Sequence, residues 1–144
     1  MYDALKLENQ LCFPLYACSR EIVKRYTPYL NKIQLTYTQY VAMMVIWEQQ
    51  CITAKELGQR LYLDSGTLTP LLKNLEAKGL ILRSRSPQDE RSLMVTVTAA
   101  GMALREEAIS IPYAMAGCTN LSPEEALQLY GLLYKILQNP DSPQ

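Results

Sequence analysis

Thiols are the most reactive groups in this chain. Cysteine occurs at positions 12, 18, 51 and 118, no two of them form a CxxC pair, and histidine is absent. The usual zinc ligand sets are therefore missing, and neither a metal nor a cofactor is expected. What remains open is redox chemistry, in which a thiolate attacks a peroxide, becomes a sulfenic acid and condenses with a second thiol. Peroxide turnover by a thiol peroxidase or reductase is not expected, because no CxxC partner or histidine accompanies any cysteine. Ten tyrosines stand against one phenylalanine, and phenolic hydroxyls can donate hydrogen bonds to a thiolate.

These side chains need a scaffold. The 144 residues are 49% apolar, enough for one domain with a real core. No run of eighteen or more apolar residues occurs, and the N-terminus lacks the basic-then-apolar order of a secretory signal. A cytoplasmic protein without membrane contact is expected, in which any cysteine pairing would be transient. Fourteen basic side chains balance fourteen acidic ones, so net charge names no partner. Between Cys51 and Val97 seven bases face five acids, a weak local excess.

Periodicity supplies the elements. Leu11, Leu15, Cys18, Ile22 and Tyr26 recur at helical spacing, predicting a helix over about residues 5–30 that kinks or restarts at Pro14. Thr36 to Gln39 reads as a capping box before the apolar run from Tyr40 to Trp47. Thr53 and Glu56 form a second such pair, opening a short helix with Leu57 inward. After a turn at 62–66, Leu68, Leu71, Leu72 and Leu75 mark a helix over 67–78, with Gly79 as its left-handed stop. Two helices around a tight turn predict a helix-turn-helix. Residues 80–85 and 92–97 read as strands joined by a polar tip, a hairpin wing directly behind it. Thr98 and then Ser122, with Pro123 and Glu125, cap two further helices. The second carries Leu129, Leu132, Leu133, Ile136 and Leu137, an arc too wide for the surface of a small monomer. The fold class is therefore mainly α with a small β wing. A winged helix-turn-helix over about 36–98 is expected to dimerise through helices over about 5–30 and 99–138, with 139–144 a loose tail.

This order of elements resembles the MarR family of dimeric transcription regulators. Three segments are similar to its organic-hydroperoxide-responsive (OhrR) branch: Leu7-Glu8-Asn9-Gln10-Leu11-Cys12-Phe13, Leu63 to Lys73 with its Asp64-Ser65-Gly66-Thr67-Leu68-Thr69-Pro70 core, and Asp89-Glu90-Arg91-Ser92. The resemblance implies a homodimer on double-stranded operator DNA that senses organic hydroperoxides through Cys12. It places Tyr26 and Tyr37 of one subunit as donors to Cys12 of the other. Cys118 resembles the resolving cysteine of two-cysteine members, whose disulfide joins the subunits; an external small thiol is the other route.

In the second helix of such a motif, Ser65, Thr67, Thr69 and Lys73 are placed to meet base edges or phosphates; Ser65 and Thr67 could instead only cap it. At the wing, Asp89 can hold Arg91 for an adjacent minor groove. Cys18 and Cys51 are expected to pack. Pro14 departs from the branch, where an aliphatic residue or alanine is usual. The alternative is a MarR-type regulator responding to a phenolic or aromatic ligand, with Cys12 incidental; Cys12→Ser separates the two.

Overall fold

Helices in the centre of the chain begin where a short oxygen-bearing side chain can take a free amide. In the computed structural model, which describes residues 2–138, helix α2 (Tyr37–Gln49) opens on a complete capping box between Thr36 and Gln39. Thr53 takes the Glu56 amide at 3.1 Å to start α3 (Ala54–Leu61). Thr98 takes the Gly101 amide at 3.0 Å to start α5 (Ala99–Ala108). A second full box, Ser122 with Glu125, starts α7 (Pro123–Leu137), whose N1 residue is the expected proline.

Helix α4 runs Ser65–Ala77, two residues earlier than the leucine pattern suggests. Asp64 is its cap, taking the Thr67 amide at 2.7 Å, so neither Ser65 nor Thr67 caps it. Gly79 follows with φ +79°, the left-handed residue that ends the helix.

At the N-terminus the expected long helix is shorter. Two 3-10 turns, Asp3–Leu5 and Leu7–Asn9, precede α1 (Cys12–Asn31). Pro14 is then the third residue of α1, where the missing N–H has no intrahelical partner to lose, so the helix starts near the proline instead of kinking at it. The 99–138 stretch also holds a short α6 (Ser110–Ala114). The expected tail over 139–144 lies outside the described residues.

The wing strands β2 (Ile81–Arg85) and β3 (Leu93–Val97) pair antiparallel. A three-residue strand β1 (Cys51–Thr53), absent from the sequence reading, adds to the other edge of β3, giving the order β1-β3-β2. Met43, Ile46, Leu57, Leu72, Leu75, Ile81 and Val95 meet in the core beneath α2 to α4 and the sheet. Each such side chain contributes about 1.5–3 kcal/mol over leaving it exposed. Trp47 donates its indole N–H to the Gly101 carbonyl at 2.8 Å. Position 101 admits no side chain, since a Cβ there would stand 2.2 Å from the Leu80 carbonyl oxygen. The architecture is a winged helix-turn-helix flanked by terminal helices. Among the described residues no helix is long and apolar enough to cross a membrane.

Candidate functional site

The candidate residues fall into two groups, one on α4 and the wing, the other along α1, α2 and the turn before α7. The first depends on a tight turn after α3. Tyr62 is left-handed at φ 57° and Leu63 returns its amide to the Gly58 carbonyl at 2.9 Å. A Cβ at position 58 would lie 2.9 Å from the Leu63 carbonyl oxygen, so glycine lets the turn close onto α3.

Leu68, Leu71, Leu72 and Leu75 then face the core, leaving Ser65, Gly66, Thr67, Thr69 and Lys73 exposed. Thr69 spends its hydroxyl proton on the Ser65 carbonyl at 2.8 Å, which leaves its oxygen outward as an acceptor. Hydrogen bonds from the Thr67 amide and hydroxyl hold the Asp64 carboxyl below its ordinary range.

The far end of α4 is tied down twice. Glu76 accepts from the Arg83 amide at 2.9 Å and from its Nε and Nη2 at 3.2 and 3.0 Å, locking α4 to β2. These bonds hold the Glu76 carboxyl below its ordinary range. Lys78 donates to the Gln34 carbonyl and, at 3.1 Å, to Oε1 of buried Gln39 on α2.

At the wing tip, Asp89 Oδ1 accepts the Arg91 amide at 3.0 Å and lies 3.5 Å from its Nε. The Arg91 side chain is 94% exposed. Such an exposed pair adds about 0–1 kcal/mol of stability at most; its effect is to aim the guanidinium.

The second group centres on three phenols. The Tyr26 and Tyr37 rings meet edge-to-face at 4.9 Å between centroids, with Tyr40 6.0 and 6.2 Å from them. Burial is the main cause pushing the Tyr26, Tyr37 and Tyr40 hydroxyls above their ordinary 10.0, so all three keep their protons and remain donors at neutral pH. Tyr26 is raised further by Tyr37 and, least, by Cys118. Arg25, one residue before Tyr26, donates to the Cys118 carbonyl.

Cys12 is not part of this cluster in its own chain. It is the exposed first residue of α1. Tyr26 lies fourteen residues further along that helix, a separation of about 21 Å at 1.5 Å per residue. Cys18 and Cys51 do not pack as expected: both are exposed in this chain. Cys51 stands on β1, whose short backbone pairing turns its thiol outward to accept from Thr96 Oγ1 at 3.4 Å.

Sequence reasoning passed over Asp64, the Glu76–Arg83 clamp, the Lys78–Gln39 tie, Tyr40 and Arg25. Asp64 carried a signal, since Asp with Thr three residues later is a capping pattern. Tyr40 stands three residues after Tyr37, on the same helix face. Lys78–Gln39 and Arg25–Cys118 join residues 39 and 93 apart in sequence, and Glu76–Arg83, seven apart, crosses from a helix to a strand.

The sequence pattern described as the MarR family matches residues 35–93. The organic hydroperoxide resistance transcriptional regulator of Bacillus subtilis strain 168 is 50% identical over 137 residues, covering 95% of this chain and 93% of that protein. The chain belongs to the MarR family. The HTH-type regulator SarZ of Staphylococcus haemolyticus is 43% identical over 92% of this MarR-family chain and 90% of its own. Among solved structures, AbfR of Staphylococcus epidermidis has been seen bound to DNA in overoxidized and reduced forms. Both match with a TM-score of 0.77 and 34% identity over 94% of this chain, and over 96% and 95% of theirs. These relatives are transcriptional regulators, not enzymes.

Proposed function

We propose that this MarR-family protein is a cytoplasmic, homodimeric repressor that grips double-stranded operator DNA while Cys12 is reduced and releases it when an organic hydroperoxide oxidises that thiol. One observation carries the reading. The Tyr26–Tyr37–Tyr40 cluster lies toward the opposite end of α1 from Cys12, which supports a sensor in which the thiol of one copy meets the hydroxyls of another. The apolar surface needed to bring a second copy is present: no residue of α7 is buried, and Leu11, Phe13 and Leu15 at the start of α1 are exposed. The hydroperoxide is inferred from the relative named for that resistance.

In the dimer, Tyr26 and Tyr37 of one protomer donate to the Cys12 thiolate of the other and stabilise its charge. The thiolate attacks the outer oxygen of the hydroperoxide. A sulfur–oxygen bond forms, the oxygen–oxygen bond breaks, and the remaining alkoxide takes a proton and leaves as the alcohol. The Cys12 sulfenic acid then condenses with the Cys118 thiol of the partner subunit, releasing water and linking the protomers.

On DNA, α4 enters the major groove with Ser65, Thr67, Thr69 and Lys73 toward bases and phosphates. Thr69 offers an acceptor, which suits the amino group of adenine or cytosine. Arg91, steadied by Asp89, enters the adjacent minor groove, and two protomers read half-sites about one helical turn apart. A covalent tie between protomers fixes a spacing of the two α4 helices that no longer matches those half-sites.

The test is fluorescence anisotropy on an operator selected from random duplexes, before and after cumene hydroperoxide. Native protein should lose at least about tenfold in affinity on oxidation, the range of an ordinary allosteric coupling, and Cys12→Ser should bind equally well before and after. Release by Cys12→Ser on treatment would remove Cys12 as the sensor.

A further inference from the structure

Cys118 has no regular element to hold it. It follows the end of α6 in a turn where Gly117 has φ +80° and Asn120 φ +58°. Its local backbone bonds run from the Ala116 amide to the Tyr113 carbonyl at 3.3 Å, from the Cys118 amide to the Met115 carbonyl at 3.1 Å, and from the Asn120 amide to the Gly117 carbonyl at 3.1 Å. A turn with a glycine in it loses more freedom on ordering than a helix residue does, so a thiol carried there needs an outside anchor to stay in one place.

Helix α1 supplies one. Arg25 donates through Nη1 to the Cys118 carbonyl, ninety-three residues away in sequence. The next residue along α1 is Tyr26, which has the Cys118 thiol as an electrostatic neighbour. The Cys118 side chain itself is half-buried and packs against the core. Arg25 thus takes hold of the Cys118 backbone, while the core borders its side chain.

We propose that Arg25 is a positioning residue for the resolving step, holding the Cys118 carbonyl so that its sulfur keeps one place at the Arg25 end of α1, where the partner's oxidised thiol arrives. This rests on the redox reading given above and says which side chain makes its second step fast. In that step the Cys118 sulfur attacks the Cys12 sulfur of the partner subunit's sulfenic acid. The sulfur–sulfur bond forms, the sulfur–oxygen bond breaks, and hydroxide leaves with the thiol proton as water. No further oxidant is consumed, since the hydroperoxide was already reduced to alcohol when the sulfenic acid formed. A guanidinium suits the task because its rigid planar array of donors can hold a carbonyl while the charge stays hydrated. Holding a nucleophile near its target is worth much in rate, and the first oxidation, which does not involve Cys118, should not feel it.

The experiment separates the two steps. Full-length native protein, Arg25→Met, Arg25→Lys and Cys118→Ser are treated with an equimolar amount of cumene hydroperoxide. Cys12 sulfenic acid is trapped with dimedone, and the disulfide is followed on quenched non-reducing gels. Thermal melts of the reduced proteins show whether each variant is folded. For Arg25→Met the sulfenic acid should form within about twofold of the native rate while the disulfide forms about tenfold more slowly, as loss of one orienting hydrogen bond predicts. Lysine should restore part of the rate, and excess hydroperoxide should drive more Cys12 to sulfinic acid in Arg25→Met than in native protein. A disulfide forming in Arg25→Met at the native rate, or equal slowing of both steps, would overturn the proposal. If Cys118→Ser still gives the native cross-link, the resolving role of Cys118 falls, and that of Arg25 with it.

Discussion

Around α4 and the wing, polar groups are tied to other parts of the same chain: Asp64 to Thr67, Glu76 to Arg83, Lys78 to Gln34 and Gln39, Asp89 to Arg91. The terminal elements are the reverse, with α7 burying none of its residues and Leu127, Tyr130 and Leu132 exposed by 74%, 62% and 59%. A surface meant to read a fixed external object gains from being rigid before contact, because less freedom is lost on binding. A surface meant to meet a second copy is left apolar and open until that copy arrives. The winged helix is therefore complete within one chain, whereas the proposed sensor needs two.

The largest expected effect comes from breaking the open half. Leu132→Asp puts a charge on the exposed stripe of α7 without touching the core, so the monomer should fold while the dimer dissociates. Operator affinity should fall by about a hundredfold or more, because two half-sites bound together gain an effective concentration that one alone does not. Sedimentation velocity and anisotropy check the two halves of that statement. A stable dimer in Leu132→Asp would erase the contrast between the two regions.

A smaller effect is expected from loosening the closed half. Glu76→Gln removes the charge that holds Arg83 between α4 and β2, and operator affinity should drop about threefold to tenfold while the protein stays dimeric. The same clamp makes an acid prediction. The folded Glu76 carboxyl lies below its ordinary 4.5, so its contribution is fully present above that value and fades as pH falls through the lower folded one. Denaturant melts at descending pH should show this loss in native protein and a reduced loss in Glu76→Gln. Identical acid profiles would remove the clamp from the account.

The same division governed what could be read from residues alone. The winged helix was legible because its signals are local: a cap three residues before its partner amide, leucines at three- and four-residue spacing, a glycine after the last turn. Asp64 was passed over as cap because the Ser and Thr residues beside it offer equally good oxygen atoms. Strand β1 and helix α6 are too short to carry a period, and β1 exists only because β3 offers an edge. Leu11 and Leu15 were read with Cys18, Ile22 and Tyr26 as one face of a long helix, yet both are exposed, and their apolar character says more about a partner surface than about helical spacing. The proposed sensor rests on resemblance, since no spacing along one chain reveals which thiol meets which phenol when the two lie at opposite ends of α1. Contacts such as Arg25 with Cys118 join residues too far apart for any local pattern to announce.

The claim that the sensor is shared between subunits is tested most directly by mixing two inactive halves. Cys12→Ser and Cys118→Ser proteins, each unable to form the bridge alone, are allowed to exchange subunits and then treated with cumene hydroperoxide. The account predicts a cross-linked dimer on a non-reducing gel from the mixture and none from either variant by itself. A mixture that stays monomeric, while native protein forms its Cys12–Cys118 disulfide within one chain, would contradict it.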